Sequence, residues 1–147
     1  MAKPAVLLAT LGSEPQVVTI ALQFLLSQGL PIRRVVVVHT SEAAAMIGRA
    51  LEDLRTVFAT PALREIRLEL HPLTNGGLPP EDIASEEEAQ ATFSALYRLV
   101  KGLKQTGCEI HFSIAGGRKI MALYGLAVAQ LLFDGQDVLY YPFSDDA

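Results

Sequence analysis

One cysteine, Cys108, stands in 147 residues, which excludes an internal disulfide framework. The chain also lacks an excess of positive charge: 12 lysines and arginines face 16 aspartates and glutamates, for a formal net charge of −4. With a pI near 5.3 it does not read as a general binder of duplex DNA or RNA, which would show a broad basic face, although a local basic pocket stays open. No hydrophobic run is long enough to span a bilayer, and Met-Ala-Lys-Pro precedes an apolar stretch too brief for a signal peptide. The expectation is a cytoplasmic protein with no membrane partner. The Gly-x-Gly-x-x-Gly dinucleotide fingerprint and the Walker A loop are missing, so NAD and ATP are not first expectations. No cluster of Asp, Glu and His has metal-ligand spacing, and neither a metal nor another cofactor is expected.

What is present is apolar material for a core, since half of the residues are hydrophobic, and the length suits one domain over residues 1–147. Ala5 to Thr10 is a continuous apolar run of the kind found in a central strand covered on both faces. Leu11-Gly12-Ser13-Glu14-Pro15 ends it, with Ser13 placed as an N-cap and Glu14 and Pro15 in a first turn. Val17, Val18, Ala21, Leu22 and Leu25 then recur at helical spacing. Arg34 to His39 is a second buried strand, Thr40-Ser41-Glu42 a loop and cap, and Ala43 to Val57 a second helix. Glu65 to Leu70 alternates charged and apolar residues, as a strand near a sheet edge does. His71 to Glu88 is rich in proline and glycine and is expected to be a long loop, a candidate lid. Glu86-Glu87-Glu88 opens a long helix through Leu103, where the acids suit the helix dipole better than they suit a metal. A strand from Glu109 to Ile114, a helix from about Arg118 to Phe133 and a last strand near Asp137 to Tyr141 complete the chain.

Alternating strands and helices predict an α/β sandwich with a mainly parallel sheet and right-handed crossovers. A ligand then belongs beyond the carboxyl ends of the strands, where the winding reverses. The stretch Ile110 to Met121 fits such a place. A buried strand ends in Ser113-Ile114-Ala115-Gly116-Gly117 and opens into a helix at Arg118-Lys119. Helix N-terminal amides, two small residues and two cations are the local chemistry of a phosphate site. Cations at a helix N-terminus oppose its dipole, and an anionic ligand would account for them. The plainer reading is a tight turn followed by a solvated helix start. If the first and fourth strands are neighbours, Leu11-Gly12-Ser13 and Ser113 to Lys119 form two walls of one crevice, with Thr40-Ser41 at its rim.

Leu7 to Thr19 and Ser113 to Met121 resemble the two signature segments of CARF (CRISPR-associated Rossmann fold) proteins, most closely the NE0113-type family of type III CRISPR systems. Leu78 to Ile83 resembles the lead into that family's penultimate helix. The resemblance runs in order over nearly the whole chain. It implies a Rossmann-like domain that binds cyclic tetra-adenylate at a homodimer interface, and in some members cleaves it to linear di-adenylate. The implied ligand contacts are Thr10, Leu11, Gly12, Ser13, Gln16, Thr40, Ser41, Ser113, Ala115, Gly116, Gly117, Arg118, Lys119 and Met121. The implied reaction is metal-independent attack of a ribose 2′-hydroxyl on phosphorus. Lys119 would stabilise the charged phosphorane and Ser13 would hold the geometry for in-line attack.

Among the remaining polar groups, His39 and His111 lie in apolar strands and read as hydrogen-bonded core residues, while His71 is the catalytic outsider. Tyr97, Tyr124, Tyr140 and Tyr141 read as packing or dimer contacts rather than base-stacking platforms. Effector ribonuclease activity of the HEPN type is not expected. Two alternatives to an enzyme stay open: a sensor module that signals to a partner or to an effector domain, and a generic nucleotide-binding Rossmann-like domain.

Overall fold

The computed structural model describes residues 3–40, 45–73, 86–117 and 119–141. In chain order the elements are β1 (Ala5–Thr10), α1 (Gln16–Ser27), β2 (Ile32–His39), α2 (Ala45–Phe58), β3 (Arg67–Pro72), α3 (Glu86–Gln105), β4 (Glu109–Ser113), α4 (Lys119–Leu132) and β5 (Val138–Tyr140). All neighbouring strands pair in parallel, and the sheet order is β3-β2-β1-β4-β5. The result is the expected Rossmann-like α/β sandwich. The winding runs outward from β1 in one direction to β3 and in the other to β5, so it reverses between β1 and β4.

Parallel strands in the middle of such a sheet must bury both faces. Every residue of β1 is buried, and so are Val35 to Val38 of β2 and Ile110 to Ser113 of β4. Alternate side chains feed two cores. Leu7, Ala9, Val35 and Val37 meet Val18, Leu22, Leu25, Leu51 and Leu54 of α1 and α2. Val6, Leu8, Val36, Val38, Ile110 and Phe112 meet Leu96, Val100, Met121 and Val128 of α3 and α4.

Two expectations shift. Ser13 does not cap α1: the cap position is Pro15, with no side-chain cap hydrogen bond, and Ser13 is exposed. Proline brings a fixed φ suited to a helix start, so the helix begins without a hydroxyl partner. His71 and Pro72, assigned to the long loop, belong to β3, where His71 pairs with Val38 and Pro72 with His39. A proline is tolerated there because β3 is the edge strand and needs no donor on its open side. The rest of that loop and the Leu78 to Ile83 segment lie outside the described residues, as do Ser41 to Ala44 before α2.

β3 shields its edge with charge. Glu69 accepts hydrogen bonds from Arg34 on β2, with a second contact to Arg67 at 3.5 Å. The Arg34 guanidinium holds the Glu69 carboxyl below its ordinary range. At the opposite pole, below the amino ends of the strands, Lys104 of α3 donates to Asp134 at 2.8 Å and to Asp137 at 2.6 Å. Asp137 has a fully buried side chain and also accepts from the backbone N–H of Ile110 at 2.8 Å. One carboxylate therefore ties the end of α3, the α4–β5 turn and the start of β4. The hydrogen bond from Lys104 holds Asp134 at about 2, against an ordinary 3.8.

Asp137→Ala leaves an inner-strand N–H without its acceptor and Lys104 with Asp134 alone, and should lower stability in urea by about 2 kcal/mol. A loss under about 0.5 kcal/mol would contradict that role. Because the Asp134 and Glu69 carboxyls are depressed by folding, their contribution is present above the ordinary carboxylate range and fades as pH falls through their folded values. Lys104→Met should accordingly lower the urea midpoint near pH 6 and lower it less near pH 2, where Asp134 is about half protonated.

Candidate functional site

The carboxyl ends of β1 and β4 are held together by backbone contact. Ala9 pairs with Ser113, the last residue of β4. One step further, the Thr10 hydroxyl donates to the Gly116 carbonyl at 2.6 Å. A Cβ on Gly116 would sit 2.2 Å from the Thr10 carbonyl oxygen, and one on Gly12 would sit 3.0 Å from the Gly117 Cα. The first distance excludes a side chain at Gly116, and at Gly12 the facing turn would have to give. The two turns thus meet backbone to backbone in one seam. Backbone crowding is a reason for glycine at Gly116 beside the expected approach of an anion. Gly117 has a different need, a φ of +80°.

The seam divides the expected ligand contacts into those that build it and those that face outward. Thr10, Leu11, Thr40, Gly116 and Met121 are buried. The Leu11 amide donates to the Val38 carbonyl at 3.0 Å, and Met121 packs under Gly117. Ser13, Gln16, Gly117 and Lys119 are exposed, and Gly12 is half-buried between them. Gln16 donates to the Glu14 carboxylate. Ser113 is buried and Ala115 half-buried; both line a groove on the α1 side of the sheet. Ser41 and Arg118 lie outside the described residues.

Lys119 opens α4, whose first turn has amides with no intrahelical acceptor. Among the described residues, the amides of Gly12, Ser13 and Gly117 also donate to no carbonyl. With Gly12 against Gly117, the exposed residues Ser13, Gly117 and Lys119 put amides without a carbonyl acceptor, a hydroxyl and an ammonium at neighbouring turns. That set can hold an anion with more than one oxygen, such as a phosphodiester. No group of three or more His, Cys, Asp or Glu is placed to hold a metal ion among the described residues. Nor is any described helix long and apolar enough to cross a membrane.

The histidines stand apart from this patch. His39 is buried and its Nδ1 donates to the Thr40 carbonyl. His111 is buried too, with Nε2 3.1 Å from Glu109 and Nδ1 2.7 Å from the Tyr140 hydroxyl. Its carboxylate partner fixes the Nε2–H form, so Nδ1 accepts from the phenol. His71 lies on β3 against Glu69 at 3.6 Å, two strands away from the seam. The Arg-x-x-x-x-His spacing of HEPN ribonucleases does occur, at Arg34 and His39. Five steps along β2 put the two on opposite faces, with Arg34 bound to Glu69, so they do not form a joint site. Of the residues that border the groove, Phe24 was not singled out from the sequence, Val17 was read only as part of the helical spacing, and Tyr140 as a packing or dimer contact. The available signal was α1 itself, a helix without one charged residue.

Gly116→Ala should force the turns apart and cost about 2 to 3 kcal/mol in urea denaturation. Thr10→Val, which keeps the shape but removes the donor, should cost about 1 kcal/mol. A Gly116→Ala protein as stable as the parent would contradict the close contact.

The family model described as CRISPR-associated protein NE0113 matches residues 14–146, which includes the whole second motif. Among solved structures, protein VC1899 from Vibrio cholerae matches with a TM-score of 0.59 at 18% identity, over 86% of this chain. The chain corresponds to 28% of that protein's length, and the likeness concerns the fold alone. No curated protein matches. With nine-tenths of its length inside the family model, the chain belongs to the CRISPR-associated protein NE0113 family.

Proposed function

We propose that this CRISPR-associated chain binds cyclic tetra-adenylate at a homodimer interface and opens it without a metal, as a ring nuclease that ends type III CRISPR signalling. The observation that supports the reading is the contact of the two turns at Gly12 and Gly117, beside the exposed residues Ser13 and Lys119 and amides without a carbonyl acceptor among the described residues. A phosphodiester is the ligand class this patch suits, and a ring of four presents it in a symmetric array.

The dimer reading is supported by α4. After Lys119 that helix contains no charged residue, and Leu123, Leu126 and Leu131 are 60%, 39% and 65% exposed. A helix apolar on both faces is suited to a partner on its outer side. Lys119, Leu123 and Leu126 are spaced along one helical stripe, so packing the leucines on a two-fold mate brings both lysines to the axis. A cyclic tetranucleotide seated there would meet two copies of the same patch.

In the proposed reaction the ribose 2′-oxygen attacks the adjacent phosphorus as its proton passes to solvent water. The bond to the 5′-oxygen breaks, and the products are a 2′,3′-cyclic phosphate and a 5′-hydroxyl. Lys119 stabilises the charge on the phosphorane and supplies a proton to the departing oxygen. Ser13 holds the nucleotide for in-line attack. Two such cleavages give linear di-adenylate.

A sensor that binds without cleaving is the second reading. It is favoured by the absence of an exposed histidine at the seam among the described residues.

Labelled cyclic tetra-adenylate incubated with the protein in EDTA should yield di-adenylate with a 2′,3′-cyclic phosphate. Intact ligand that stays bound would select the sensor, and no binding would remove both readings. Lys119→Ala should slow cleavage about 100-fold. Its stability should stay within about 0.5 kcal/mol, because the side chain is exposed. An unchanged rate would refute the role given to Lys119.

A further inference from the structure

α1 and α2 cover one face of the sheet only over β1, β2 and β3, which leaves a groove beside α1 against the ends of β4 and β5. Its volume is about 250 Å³, and it is bordered by Val17, Phe24, Ser113, Ala115, Tyr140 and Tyr141. We propose that this groove is the subsite for one adenine of the ligand in each subunit. The inference rests on the cyclic-oligoadenylate reading and names where that ligand is recognised.

Four observations converge. The volume falls below the roughly 300 to 1,000 Å³ of pockets that take a whole drug-sized ligand, and suits a single bicyclic ring. The walls are aromatic, with Phe24 and Tyr140 in edge contact at 6.5 Å and 74°, and Tyr141 is 67% exposed at the mouth. Bases stack on such surfaces. The Tyr140 ring is itself fixed, because its hydroxyl donates to His111, which Glu109 holds from the other side.

One polar group is left for the base edge. Ser113 is only 3% exposed, lines the groove and makes no side-chain hydrogen bond to another described residue. A hydroxyl both donates and accepts, so it can meet a ring nitrogen or the exocyclic amine. Among the described residues no charged side chain lines the groove, which leaves the phosphate to the seam. The two places are continuous: Ser113 to Gly117 is a run of five residues whose ends are at most about 14 Å apart.

Isothermal titration of the full chain with cyclic tetra-adenylate and cyclic tetra-uridylate tests the assignment. The parent should prefer the adenylate. Phe24→Ala should weaken adenylate binding between about 5- and 100-fold and narrow the preference. Ser113→Ala should weaken it about fivefold. If the parent binds adenylate and both variants bind it equally well, or if the uridylate binds as tightly, the subsite is wrong while the proposed function stands. If the parent binds neither ring, both fall. Loss of binding accompanied by dissociation of the dimer in sedimentation would make the groove a contact between copies and overturn the base assignment. Should Phe24→Ala fail to fold by circular dichroism, Ser113→Ala decides alone.

Discussion

The contact between the turn after β1 and the turn after β4 sets the geometry of everything at the upper pole of this molecule. It is made of main chain: the Thr10 carbonyl lies where a Gly116 side chain would be, and Gly12 faces Gly117 in the same way. Backbone that meets backbone at this range brings two sets of polar groups together, and they need partners. The Thr10 hydroxyl satisfies the Gly116 carbonyl, and Leu11 reaches back to Val38 on β2. Among the described residues the amides of Gly12, Ser13 and Gly117 donate to no carbonyl. The proposed anion site would use them, at the place where the sheet changes direction.

The two poles of the sheet solve opposite problems. Below the strands, Lys104, Asp134 and Asp137 fasten α3, β4 and the α4–β5 turn with mutually satisfied charges and leave little for a ligand. Above, donors and one ammonium stand open. Fully buried central strands make the difference possible, because side-chain packing in β1 and β4 brings both turns together and the seam asks only for glycine where backbone meets backbone. Residues at the seam are then free to be small or polar. The same economy leaves the sheet beside α1 partly uncovered, with Ser113, His111 and Tyr140 on that face.

Much of this was legible in the chain because parallel strands and amphipathic helices leave local signatures. The runs Ala5 to Thr10 and Glu109 to Ile114 announced their strands, and the sandwich with its ligand end followed from alternation. Whether β1 touches β4 was a conditional step, since strand order is not written in either strand alone. The function of the glycines was less legible. Ligand approach and backbone crowding demand the same residue, and only the partner turn tells them apart. Ser13 looked like a cap because hydroxyls before helices usually are, yet Pro15 starts α1 by fixing its own φ. His71 and Pro72 looked like loop because proline breaks inner strands, a rule that relaxes at an edge. The groove left only the uncharged α1 as a local trace, because its walls come from α1, β4 and β5, with Phe24 and Tyr140 more than a hundred residues apart in sequence.

The most direct test is a titration of the isotopically labelled protein with cyclic tetra-adenylate, followed through its backbone amide resonances. If the seam is the anion site, the largest shifts fall on Gly12, Ser13, Gly117 and Lys119, from both turns together and saturating at one concentration. Shifts confined to one turn, or centred on β3 and its charged edge with the seam unmoved, would contradict it.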